Sequence, residues 1–145
     1  MATTNPAMWL PTLREVPLFR GLTRATLIQV AQRSSAIACS PGTILVEQGD
    51  PGDFLCVIVD GTVEVRRDGR VISHKTSGDY FGEISLIDGE PRSATVVAVD
   101  DVTVLKLDSS DFDSLLNIPH VARAVLRGLA SLFRHVQDAH DLPRD

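Results

Sequence analysis

Between Ser34 and Leu107 a glycine or proline interrupts the chain every few residues, and this punctuation limits the fold more than any other feature of the sequence. A segment broken so often has no room for a long helix, because proline removes a backbone donor and glycine weakens a helix interior. Between the breaks lie short, β-branched runs: Thr43 to Val46, Phe54 to Val59, Thr62 to Val65, Val71 to Ser73, Ser93 to Val99 and Val102 to Leu107. Many short strands with frequent turn signals predict an antiparallel β-roll or jelly-roll-like barrel. Thr62, Glu64 and Arg66 alternate with Val63 and Val65, the period of a sheet with one buried face. Asp68-Gly69 then sits between two such runs as a hairpin turn.

The flanks change period. Leu13 to Arg33 carries apolar residues at helical spacing, and Pro17, Gly21 and Thr23 divide it into short helices, the second capped by Thr23. A shorter helix around Asp108 to Leu116 would be capped by Asp108 or Ser109. From Pro119 to His140, Val121, Val125, Leu129, Leu132, Val136 and Ala139 fall in one arc of a helical wheel, with Arg123, Arg127 and Arg134 opposite. Leu126 and Phe133 widen that stripe, enough to cover the roll and a second surface, such as a protein effector or an isologous homodimer seam around Leu129, Leu132 and Phe133. The expected class is α+β, mainly β. A flexible N-terminus (1–12) precedes one domain (13–145), made of helices (13–33), β-roll (34–107) and C-terminal helices (108–140).

Bulk composition narrows the function. With 145 residues, 43% hydrophobic and 23% charged, the chain supports one core and is too apolar for disorder. A net charge of -5 provides no broad basic surface, so direct nucleic-acid binding is not expected. Cys39 and Cys56 are too few for a disulfide framework, which suits a reducing cytoplasm. No apolar run approaches the roughly 18 residues of a membrane span.

The chemistry concentrates in FGEISLIDGEPRSATV, Phe81 to Val96, where Glu83 and Arg92 stand inside otherwise apolar chain. Gly89 and Pro91 forbid a continuing strand or long helix, while Gly82 to Leu86 suits one helical turn with unpaired N–H groups at its start. Arg92 returns across the loop toward Glu83. Its planar fork of donors suits a phosphate and stays charged when partly buried. Glu83 then needs a donor, for which a ribose hydroxyl is the natural choice. On spacing alone, a Glu83–Arg92 salt bridge closing the loop is the simpler account.

The complete string, FGEISL, a short Gly/Pro loop, then PRSATV, resembles the phosphate-binding cassette of cyclic nucleotide-binding domains. Leu45 to Phe54, LVEQGDPGDF, followed by apolar residues to Gly61, is similar to that family's other signature. The resemblance spans about Val16 to Val136, with one departure: Cys56 stands where a larger residue is usual, which bears on packing rather than binding. The resemblance implies that Glu83 accepts from the ribose 2′-hydroxyl and that Arg92 pairs with the cyclic phosphate. Gly82 would let the backbone approach the sugar. The N–H groups of Ile84 and Ser85, and Ser93 through its N–H and hydroxyl, would complete the cradle. Val65 and Ile72 would wall the sugar or base, with core packing as their alternative role. Val136 and Gln137 would reach over the base, Gln137 reading the adenine edge or remaining a solvated residue.

Serine at position 93 permits either nucleotide and is common in bacterial cAMP receptors of this family, so cAMP is the expected ligand and cGMP the alternative. The expected function is a non-enzymatic sensor without a resident cofactor, in which the C-terminal helix re-docks as a lid on binding. Three alternatives remain at this stage. One is a regulatory fragment of a larger enzyme or channel. Another is a catabolite-activator-type transcription factor, for which no recognition helix follows before Asp145. The third is a cupin-like enzyme, for which His74, His120, His135 and His140 lack the close pairing a metal site needs.

Overall fold

The computed structural model describes residues 6–140, with side chains from 7 to 134. Eight strands form two four-stranded antiparallel sheets. They are β1 (Ser35–Cys39), β2 (Ile44–Val46), β3 (Phe54–Asp60), β4 (Thr62–Arg67), β5 (Arg70–Thr76), β6 (Tyr80–Phe81), β7 (Thr95–Ala98) and β8 (Val102–Asp108). One sheet has the order β1-β8-β3-β6 and the other β2-β7-β4-β5. The helices are α1 (Leu10–Glu15), α2 (Arg24–Arg33), α3 (Glu83–Asp88), α4 (Ser109–Leu116) and α5 (Pro119–His140).

β3 explains how the layers separate. Its run of buried residues has no polar face, because alternate side chains enter different cores. Cys56 and Ile58 point into the roll with Val63, Val65, Phe81 and Val96. Leu55, Val57 and Val59 point outward, where Phe19, Leu27, Phe112 and Val121 of the helical layer cover them. β8 divides in the same way, with Val102 and Val104 inside and Leu105 and Leu107 outside. The helical layer thus packs directly on the same two strands that line the roll.

Local chemistry sets the boundaries. Thr23 caps α2 through its hydroxyl, which accepts from the Thr26 N–H at 3.2 Å. The β4–β5 turn takes Asp68 and Gly69 through positive φ, 54° and 79°, the primed geometry that follows strand twist. α4 starts at the expected place, but its cap differs: Asp108 occupies the N-cap position and no side chain there bonds the helix N–H groups. The Ser109 N–H instead donates to Asp53 O at 3.0 Å.

Two strands and one boundary depart from the sequence reading. β1 carries mostly exposed side chains, small apart from Ile37, and forms because its backbone pairs with β8 from Ser35↔Lys106 to Cys39↔Val102. β6 has two residues, too few for a periodic signal. Packed structure begins before residue 13, since Leu10 opens α1 and is 4% exposed in the helical core. α5 runs from Pro119 to His140 as the periodicity predicted, with Val121 and Val125 buried and Leu126, Leu132 and Phe133 exposed. Among the described residues, no helix is long and apolar enough to cross a membrane.

Candidate functional site

The cassette begins where β6 ends. Gly82 has φ +98°, a left-handed conformation that favours glycine, and turns the chain into α3. A Cβ here would lie 2.8 Å from Arg92 Nη1 and 2.9 Å from Phe54 O. Gly82 therefore provides the space that the arginine occupies. α3 runs six residues, longer than the expected single turn, and ends at the left-handed Gly89.

Arg92 is 5% exposed. Its Nη2 donates to Phe54 O at 2.8 Å and its Nη1 to Gly82 O at 3.0 Å. The guanidinium carbon lies 4.6 Å from the centre of the Phe54 ring. These two bonds leave three of the five guanidinium N–H groups unassigned. Burial lowers its pKa, opposed by Cys56, Asp53 and Glu83. No carboxylate lies within ion-pair distance of Arg92 among the described residues. The salt-bridge account of Glu83 and Arg92 is thus not the arrangement observed.

The upstream Leu45–Phe54 stretch holds this arginine. The Gly49 N–H donates to Arg92 O at 2.9 Å, and the Arg92 N–H donates to Asp50 O at 2.8 Å. Gly52 packs where a Cβ would fall 2.5 Å from Ser85 Cβ and 2.9 Å from Arg92 Cζ. Gln48 exchanges two 2.9 Å bonds with Asp68 at the β4–β5 turn, fixing that hairpin beside the loop. The two signatures are therefore one structure: the first is the socket into which the second places its cation.

Glu83 opens α3 and is partly buried. Burial raises its pKa; the opposing influences are its own backbone N–H, then Lys75 and Arg92. A cavity of about 150 Å³ joins these residues. Gly82, Glu83, Ile84, Ser85, Arg92 and Ser93 all line it. Val65 and Ile72 line it too, Val65 also belonging to the inner core. Every sequence-predicted site residue with a described side chain thus meets in one place. Val136 and Gln137 fall on the last turns of α5, and their side chains lie outside the described residues.

Among the lining residues that the sequence reading missed are Arg67, Lys75 and Leu132. Arg67 braces the cassette through its Nε, which donates to Ser93 O at 3.1 Å. Leu132 brings α5 to the cavity and also lines an adjoining groove of about 400 Å³, shared with Lys75 and Glu83. The apolar stripe of α5 could have suggested Leu132. Only strand register identifies Lys75.

One inward cation, one desolvated carboxylate and a row of cassette N–H groups suit a small ligand with one anionic and one hydroxyl-bearing edge. The sequence profile described as the cyclic nucleotide-binding domain matches residues 36–118. A cyclic nucleotide-gated potassium channel of Mesorhizobium japonicum is 40% identical over 100 residues, covering 69% of this chain and 28% of the channel. The solved structure of cAMP-bound PfPKA-R (141–441) superposes with a TM-score of 0.83 at 27% identity, over 96% of this chain and 48% of that one. The Thermus thermophilus catabolite activator protein gives a TM-score of 0.79 at 32% identity, over 87% of this chain and 62% of that one. The chain spans about a quarter to a third of the length of the curated relatives it matches.

Proposed function

The chain belongs to the cyclic nucleotide-binding domain family, and on that premise we propose that it is a regulatory module switched by cAMP, with cGMP as the alternative ligand. The observation that carries this reading is the buried Arg92 guanidinium, which has spare donors and no ion-pair partner among the described residues, in one cavity with Glu83. Arg92 pairs with the cyclic phosphate while keeping its carbonyl bonds to the roll. Glu83 accepts from the ribose 2′-hydroxyl, and the N–H groups of Ile84 and Ser85 with Ser93 close around the phosphate. Val65 and Ile72 wall the sugar or base. cAMP is the nucleotide bound in the PfPKA-R structure.

Binding acts on α5 through Leu132, which already lines the cavity and is 47% exposed. The helix closes over the nucleotide as a lid, carrying Val136 and Gln137 toward the base. A ligand shifts such an equilibrium only by its differential affinity for the two positions, so closure requires contact between α5 and the bound nucleotide. The module itself is non-enzymatic and cytoplasmic. Its output is α5 presented to a protein effector or to a second copy through Leu126 and Phe133, which are 63% and 65% exposed.

Thermal melts with cAMP and 5′-AMP test the reading. At about 100 Kd, cAMP adds about 2.7 kcal/mol, which raises Tm by about 9 °C for a chain of this length. The linear, doubly charged phosphate of 5′-AMP does not match the site and leaves Tm near its free value. Equal responses to both, or none to cAMP, overturn the proposal.

A further inference from the structure

The strand pairing places one charged residue where an apolar one is expected. β5 pairs with β4 so that Lys75 lies opposite Val63 and Ser73 opposite Val65. Opposed residues of an antiparallel pair share a face, and Val63 and Val65 both belong to the inner core. Lys75 therefore faces the interior of the roll and is half-buried there. Among the described residues its ammonium forms no ion pair and no side-chain hydrogen bond. Its charge reaches Glu83, opposing through space the burial-driven rise of that carboxyl's pKa, so the ammonium and its three donors stand beside the site.

The shape of the site indicates what meets it. The cassette cavity, about 150 Å³, is smaller than the roughly 300–1,000 Å³ of small-molecule sites. It continues into the groove of about 400 Å³, and Lys75, Glu83 and Leu132 line both spaces. With phosphate on Arg92 and ribose on Glu83, a nucleotide has only its base left to place, and the open space beyond the ribose edge is this groove. Lys75 stands where the two spaces join. The base-wall residues Val65, Ile72 and Leu132 offer the purine no hydrogen-bonding side chain.

We propose that Lys75 reads the base, donating from its ammonium to O6 and N7 of a 6-keto purine, and so makes cGMP an accepted ligand beside cAMP. This rests on the reading that the cavity takes a cyclic nucleotide. Guanine presents two acceptors at O6 and N7, whereas adenine presents N7 and an amino donor. An ammonium carries three donors and no acceptor, so it meets the adenine amino group donor to donor. The 2-amino group of guanine lies at the other end of the ring from O6 and N7, out of the reach of a group that reads those two atoms.

Calorimetric titration of the full chain with cAMP, cGMP and cIMP tests this; cIMP keeps the 6-keto group and lacks the 2-amino group. Lys75→Met preserves the apolar stem, and Lys75→Arg preserves the donors. The expected result is that the cGMP:cAMP and cIMP:cAMP affinity ratios both fall about tenfold in Lys75→Met, the scale of one good donor pairing at a base edge. In Lys75→Arg both ratios stay within about twofold of native. Unchanged ratios in Lys75→Met overturn the proposal, as does a fall for cGMP alone, which assigns the discrimination to the 2-amino group. Native protein that binds none of the three overturns the nucleotide reading itself, an outcome distinct from either failure of Lys75.

Discussion

Replacing Arg92 with alanine separates the two tasks assigned to that side chain. In the free protein it makes hydrogen bonds of 2.8 and 3.0 Å to Phe54 O and Gly82 O and lies over the Phe54 ring. Hydrogen bonds to a charged group contribute about 1.5–3 kcal/mol each. Water entering the vacated space satisfies part of what the two carbonyls lose. Removing a desolvated guanidinium offsets more, so the net loss is about 2–4 kcal/mol. At about 0.3 kcal/mol per degree for a chain of this length, Tm falls by about 7–13 °C. Differential scanning calorimetry measures that fall, and repeating the scan with cAMP measures the second task. The variant loses the nucleotide-dependent rise because the phosphate has no cation to replace Arg92. A variant melting within about 2 °C of native refutes the bracing role. A variant that melts low yet keeps the full cAMP-dependent rise refutes the phosphate role.

Two further substitutions follow from the same geometry. In Glu83 the folded carboxyl holds its proton more tightly than the unfolded one, because burial raises its pKa. Stability of the free protein therefore falls as pH rises from the ordinary carboxylate range through the raised value. Glu83→Gln removes that loss, so it melts higher than native at pH 7 without ligand, matches native below the ordinary carboxylate range, and binds cAMP more weakly; equal melting at both pH values contradicts the burial argument. Gly52→Ala places a methyl 2.5 Å from Ser85 Cβ and 2.9 Å from Arg92 Cζ, an overpacking that costs about 1–3 kcal/mol; a urea titration with an unchanged midpoint contradicts the close packing of socket and arginine.

The contrast between Arg92 and Lys75 shows what the sequence carried. The cassette string was legible because its chemistry is local: glycine, glutamate, proline and arginine at fixed offsets, and all six cassette residues line one cavity. α5 was legible because about five turns, from Val121 to Ala139, repeat one apolar arc. β1 was not, since its side chains are mostly exposed, small apart from Ile37, and backbone pairing with β8 is what sets it in the sheet. The inward fold of Arg92 onto two carbonyls was equally hidden, because Phe54 lies 38 positions away in the chain. Lys75 was hidden by a bulge. The β4–β5 register shifts between Val65 and Arg66, so counting alternate residues back from the hairpin turn assigns side chains after the bulge to the wrong face. The upstream signature was legible as a string, but its purpose, to hold the backbone and side chain of Arg92, appears only once the loops meet.

The central claim is that a cyclic nucleotide occupies the cavity between the cassette and α5, and NMR titration of isotope-labelled protein with cAMP tests it most directly. The claim requires saturable shift changes in the Gly82 to Ser85 amides, Ser93, the Arg92 Nε–H and the Leu129 to Leu132 segment, in one transition. A spectrum unchanged by cAMP, or changes centred on the groove around Arg20, His120 and Arg127 with the cassette still, would contradict it.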